Sequence, residues 1–170
     1  IRNRGANITS SVLPAVQKII DQVRREGDDA LVRLTKKYDG HTDIIVSERD
    51  LKSACRRVPP AVYEALITAH RRIVDFHRRQ MHISWMMEGP NSEVVGQMVR
   101  PLDRVGIYVP GGKAVYPSSV LMNALPARVA GVPEIVMVTP GGPQGIDPTI
   151  LAAADLCGIK KVFRIGGAQA

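Results

Sequence analysis

Hydrophobic positions along the chain change rhythm near residue 100. Before it they recur every three or four residues, the spacing of one helix face. Val12, Val16, Ile19, Ile20 and Val23 form such a stripe, with Ser10 or Ser11 as a cap, Pro14 in the first turn and Gly27 as the stop. Asp28 is expected to cap a second helix that turns Leu31, Leu34 and Tyr38 inward and ends at Gly40. The run Ile44-Ile45-Val46 predicts a short strand. Ser47 to Asp50 reads like a capping box, with Asp in place of Glu or Gln, and opens a helix through Leu51 and Ala54. After Pro59-Pro60 a longer helix is predicted to bury Val62, Leu66, Ala69, Ile73 and Phe76.

From Glu93 the texture becomes that of strands. Val94, Val95, Met98 and Val99 suggest one or two, punctuated by Pro101. A repeated order then sets in: apolar strand, glycine-rich turn, helix, glycine, strand. Val105-Gly-Ile-Tyr-Val109 leads to Pro110-Gly111-Gly112, and Pro117-Ser118-Ser119 opens a helix carrying Leu121, Leu125 and Val129 to Gly131. Ile135-Val-Met-Val-Thr139 leads to Pro140-Gly141-Gly142, a helix runs from about Pro148 to Gly158, and Lys161-Val-Phe-Arg-Ile165 leads to Gly166-Gly167. Strands and helices alternating at this spacing predict βαβ crossovers and a parallel sheet covered on both faces. The fold class is therefore α/β: a mainly helical segment over 1–103, then a βαβαβ unit over 104–170. In such sheets the ligand sits beyond the carboxyl ends of the strands, where all three glycine pairs fall.

The chain has 170 residues, 45% of them hydrophobic, which fits one domain with a proper core or pieces of two. No apolar run approaches the roughly 20 residues that span a bilayer, so no membrane association is expected. Two cysteines, Cys55 and Cys157, exclude a disulfide framework and a four-cysteine metal site, and favour a reducing cytoplasmic location. Net charge is +7, and the excess lies mainly before residue 101, where 17 basic residues face 12 acidic ones. The doublets Arg24-Arg25, Arg56-Arg57, Arg71-Arg72 and Arg78-Arg79 suit solvated helix faces. With aromatics at 4%, stacking on nucleic acid lacks its platform, and no nucleic-acid partner is expected.

Candidate chemistry is sparse. His70 and His77 are separated by roughly 10.5 Å of helical rise and cannot share an ion; with His82 they read as surface residues. The glycine pairs permit close backbone approach, to a ligand or to the chain itself, but match neither the dinucleotide fingerprint nor the Walker pattern, and Lys113 lacks the spacing of a phosphate-loop lysine. Tyr108, near its strand's end, either lies against a ligand or fills the sheet end. Gln169 could orient an amide or hydroxyl, or simply begin a helix. Ser118 and Ser119 read as caps, at a helix start that could also take an anion. Cys157 falls in the last turn of a helix, where the dipole disfavours a thiolate, and reads as a small buried residue.

Arg104-Val-Gly-Ile-Tyr-Val-Pro-Gly-Gly112, Tyr116-Pro-Ser-Ser-Val-Leu-Met122, Ala152-Ala-Ala-Asp-Leu-Cys-Gly158 and Ile165-Gly-Gly-Ala-Gln-Ala170 together resemble the signature of the histidinol dehydrogenases. Val23-Arg-Arg-Glu-Gly-Asp-Asp-Ala-Leu31 is similar to that family's opening helices. The resemblance implies NAD-dependent oxidation of L-histidinol through the aldehyde to L-histidine, with a bound zinc ion. It implies Rossmann-like domains akin to those of aldehyde dehydrogenases, a cytoplasmic homodimer, and NAD contacts at Tyr108 and Gln169. It also implies an incomplete chain, an N-terminal part in which residues 104–170 begin a truncated NAD-binding domain. The family's zinc ligands, catalytic pair and substrate-binding residues lie downstream of Gly-Gly-Ala-Gln-Ala, so the fragment alone is expected to be inactive. A stand-alone nucleotide-binding or regulatory module using the same crevice is the alternative, and a basic interaction domain a third reading.

Overall fold

A computed structural model describes residues 4–111, 114–142 and 144–170. Gly112 and Lys113, singled out above, lie outside them. The chain opens with helices α1 (Arg4–Glu26), α2 (Asp28–Asp39), α3 (Glu48–Ser53) with a 3-10 turn over Ala54–Arg57, and α4 (Pro60–Arg78). A hairpin follows, β1 (Trp85–Glu88) and β2 (Val94–Gln97), then β3 (Arg104–Tyr108), α5 (Pro117–Val129), β4 (Glu134–Thr139), α6 (Pro148–Leu156) and β5 (Lys161–Arg164).

The predicted repeat over 104–170 is present as a parallel sheet in the order β3-β4-β5. Register pairs Ile107 with Met137 and Met137 with Val162, so these side chains share one face; Tyr108, Val138 and Phe163 share the other. The first face is closed. Ile107, Ile135, Met137 and Val162 are buried in a core that includes Leu121 and Leu125 of α5 and Leu151 of α6. That core is continuous with Leu51, Ala54, Val58 and Leu66 from the helical segment. The second face is not closed as expected: Val136, Val138 and Phe163 are half-buried and Tyr108 is exposed. Strand order explains the difference. Two same-handed crossovers that step in one direction put both helices on one face, and α5 packs against α6 there.

Several local expectations change. The first helix starts at Arg4 and runs through Ser10, Ser11 and Pro14, so the serines are not its cap; Pro14 costs it one internal bond without ending it. Its stripe is half-buried at Val16, Ile19, Ile20 and Val23, and Val12 is exposed. Gly27, at φ 59, rather than Asp28, is the N-cap of α2, and no side-chain capping bond is made. Tyr38 points to solvent while Ala30 and Thr35 are buried, because α2 turns its 30–34–35 side inward. Gly40 ends α2 in the left-handed region at φ 77. Ile45 forms a single bridge to Phe163, and the Val46 N–H donates to Val162 at 3.0 Å, so 44–46 extends the sheet's edge by one short pairing.

Ser47 caps α3 as read: its Oγ accepts from the Asp50 N–H at 3.1 Å and donates to the Asp50 carboxylate at 2.7 Å. In α4 only Leu66 is fully buried; Val62 and Phe76 are exposed, and His82 lies beyond the helix. Tyr116, not a serine, is the N-cap of α5, with Pro117 at the first position; Ser118 and Ser119 ride in the first turn. The strand Trp85–Glu88 was not foreseen. It pairs antiparallel with β2 through a turn in which Ser92 adopts φ 64.

Candidate functional site

The carboxyl ends of the three strands come together around Pro140. A Cβ on Gly111 would stand 2.9 Å from the Pro140 carbonyl oxygen, and one on Gly166 would stand 2.6 Å from the Pro140 Cβ. Both glycines are therefore required by contact of the chain with itself. Gly141 lies equally close to the Arg164 side chain, whose guanidinium donates to the Gly142 carbonyl. The strand-end glycines thus interlock the loops that follow β3, β4 and β5.

Tyr108 and the Gly166-Gly167-Ala168-Gln169 segment, far apart in sequence, meet here. The Gly167 N–H donates to the Tyr108 hydroxyl at 3.3 Å. The Tyr108 ring is 46% exposed on the open face of the sheet, beside Val138. Gln169 sits in a 3-10 turn over Gly167–Gln169, is 5% exposed, and has α1 and α2 packed against that turn. The two expected cofactor residues therefore flank one turn, one open and one covered.

A cleft of about 370 Å³ also lies at the strand ends, but on the other side of the sheet. Arg57, Pro110, Gly111, Gln144 and Asp147 help to line it, while Tyr108 and Gln169 do not. Asp147 caps α6 there by accepting from the Thr149 N–H at 2.7 Å, so this helix start is already served by a carboxylate. The geometry around Tyr108, where exposed ring and polar backbone converge, carries the stronger chemical signal.

Most of the charge around the sheet comes from groups that the sequence did not single out. Arg164 faces His41, whose imidazole is held below its ordinary pKa by burial and by that guanidinium. Neither His41 ring nitrogen has a hydrogen-bond partner among the described residues. Arg128 closes α6 from α5: its Nε donates to the Cys157 carbonyl at 3.1 Å, Nη1 to Pro133 at 3.2 Å, and Nη2 to the Gly158 carbonyl. Burial pushes the Cys157 thiol up to about 12, so it is an inert core group, as its position implied. At the opposite end of the sheet, Glu134 joins Arg104 Nε at 2.5 Å and Lys161 Nζ at 2.7 Å, tying all three strand starts. No signal in the sequence could have paired these residues, because the strand order that aligns them is not written locally.

His77 bonds Gln80 through Nδ1 at 2.7 Å and meets the Phe76 ring edge-on. Among the described residues no group of three or more His, Cys, Asp or Glu could hold a metal ion. No helix there is long and apolar enough to cross a membrane.

Comparison with known proteins gives one answer throughout. The family model described as histidinol dehydrogenase matches residues 2–170. A histidinol dehydrogenase of Prochlorococcus marinus (strain MIT 9313) is 46% identical over 167 residues, 96% of this chain and 38% of its own length. One from Neisseria meningitidis serogroup A is 49% identical over 160 residues, covering 91% of this chain and 37% of its own. The crystal structure of histidinol dehydrogenase from Elizabethkingia anophelis superimposes with a TM-score of 0.87 at 35% identity, over 93% of this chain and 37% of that one. The chain thus spans well under half the length of the relatives it matches.

Proposed function

This chain belongs to the histidinol dehydrogenase family, and from that premise we propose that it forms the N-terminal, cofactor-holding part of an enzyme that oxidises L-histidinol to L-histidine with NAD. The observation that carries this reading is the meeting of Tyr108 with the Gly167–Gln169 turn at the carboxyl end of the sheet. A half-exposed ring beside an apolar sheet face offers a flat surface to an aromatic cofactor group. The hydroxyl bond to Gly167 fixes the ring's angle, and the ring in turn holds the turn that carries Gln169. Gln169 contacts the cofactor in this reading only where α1 and α2 yield their cover of that turn. NAD, when bound, accepts the hydride.

The chain's own residues bind and orient; they move no proton. The zinc ion implied by the resemblance finds no ligand set among the described residues. We assign its ligands, the catalytic pair and the substrate-binding residues to the part of the relatives' length that this chain does not span. The segments 1–103 and 104–170 are, on this reading, pieces of one aldehyde-dehydrogenase-like arrangement in a cytoplasmic homodimer.

The deciding experiment measures NADH formation from L-histidinol by the polypeptide of the complete reading frame, before and after chelation. Activity lost to the chelator and restored by zinc supports the reading. A folded, zinc-supplied polypeptide without activity defeats it and leaves the nucleotide-binding module. Tyr108→Ala is expected to weaken NAD binding about tenfold by calorimetry, the equivalent of about 1.4 kcal/mol. Tyr108→Phe keeps the ring and should fall between.

A further inference from the structure

Every buried polar side-chain atom without a hydrogen-bond partner among the described residues belongs to one of four side chains: Thr35, Asp39, His41 and Arg164. They gather at one junction. Thr35 and Asp39 stand one turn apart at the end of α2, His41 follows Gly40, and Arg164 faces it from the end of β5. Residues 41–46 then run as a strap along the sheet's edge. Two backbone bonds hold it, from the Arg164 N–H to the Ile44 carbonyl at 2.6 Å and from the Val46 N–H to the Val162 carbonyl at 3.0 Å. A buried polar atom without a partner has lost its bond to water and gained none in return. Five such atoms at one junction make it the place where the described chain opens most cheaply, because water then serves them all.

We propose that the 41–46 strap is a proton-operated latch: proton uptake by His41 releases it, and α2 with it, from the Gly167–Gln169 turn. α2 packs on that turn and continues through Gly40 into the strap, so the two move together. The charges around His41 supply the trigger. Arg164 approaches from β5, Asp39 from α2 and Asp43 from the strap itself, while Asp50 and Arg57 line the cleft that Asp43 and Arg164 share. Burial, and after it the Arg164 charge, oppose a positive His41 more strongly than the carboxylates favour it. The closed latch therefore binds the proton more weakly than the open one. Its stability is full above the ordinary histidine range and is lost as pH falls through that range toward the lower closed-state value. The latch does not rest on the dehydrogenase reading; only its consequence, a cofactor site more open in acid, does.

The test is amide hydrogen exchange on the polypeptide of the complete reading frame, each rate divided by its intrinsic value, at about pH 7.5 and about pH 5.5. The Val46 and Arg164 amides should lose protection severalfold at the lower pH, and the Gly167–Gln169 turn with them. The Val109 amide, bonded to Val138 at 2.9 Å in the same sheet, should keep its own. His41→Gln, which cannot titrate, should abolish the loss with the far-ultraviolet dichroism unchanged. Arg164→Gln should shrink it, and Arg164→Lys, which keeps the charge without the fork, should bring it back. Equal protection of the strap at both pH values overturns the proposal, as does a His41→Gln chain that still opens in acid. A strap that opens while the turn stays protected overturns the connection through α2. Calorimetry with NAD at the same two pH values separates the two readings. Binding that tightens in acid, and no longer does so in His41→Gln, supports the cofactor link. Binding that ignores pH, or no binding, defeats that link and leaves the latch to stand on its exchange rates.

Discussion

The two faces of the parallel sheet are built from similar residues and meet different fates. On the closed face Ile107, Met137 and Val162 disappear beneath α5 and α6; on the open face Val136, Val138 and Phe163 stay half in water, with Tyr108 at the rim. Composition does not separate them. Topology does, because two crossovers of one hand and one direction supply helices to a single side. An apolar run in a parallel strand therefore says that both faces want cover, and does not say whether both receive it from the same stretch of chain.

Substitutions across the sheet would break this contrast most directly. Met137→Ala should cost about 2–5 kcal/mol in urea unfolding, the range for a large buried side chain that leaves a cavity. Val136→Ala, one residue away on the open face, should cost under about 1 kcal/mol. Equal losses would mean that the open face is covered in solution. A smaller effect is expected at the seam of the two closing helices. Arg128→Ala frees the carbonyls of Pro133, Cys157 and Gly158 and should cost about 1.5–3 kcal/mol. Arg128→Lys should recover only part of this, since a point charge cannot fork among three acceptors.

The smallest effect concerns neither face but the amino edge of the sheet. Hydrogen bonds from Lys161 and then Arg104 hold the Glu134 carboxyl below its ordinary value. A depressed carboxylate contributes stability above its unfolded pKa and loses it as pH falls through the lower folded value. Glu134→Gln should thus flatten the acid limb of the stability curve without changing the neutral-pH contrast between faces. The group is on the surface, so the change should be slight and should shrink further in salt.

Much of the closed face was legible in sequence. Glycine and proline punctuation marked every strand end and helix start from Arg104 to Arg164, because those signals are local and strong. The capping box at Ser47 was legible for the same reason. Amphipathic stripes in α1 and α4 correctly announced helices but overstated burial, since periodicity reports which side prefers cover and not whether a partner reaches it. Serines at 10, 11, 118 and 119 misled because serine is tolerated inside a helix when neighbouring backbone bonds are already made. Of the site, sequence pointed to Tyr108 and Gln169; the bond from Gly167 to the Tyr108 hydroxyl depends on chain pairing across 59 residues. The hairpin strand Trp85–Glu88 was hidden because consecutive tryptophan and methionines show no alternation.

Pro140 has a consequence that follows from its two glycine neighbours. With Gly111 against its carbonyl and ring, and Gly166 against its Cβ, one ring serves as the gauge block between the first and third loops of the sheet. Its thickness fixes their separation, and neither loop has a side chain there that could adjust the gap. The width of the sheet's mouth is in this sense calibrated by a single residue, and any remodelling of that width has to begin at position 140.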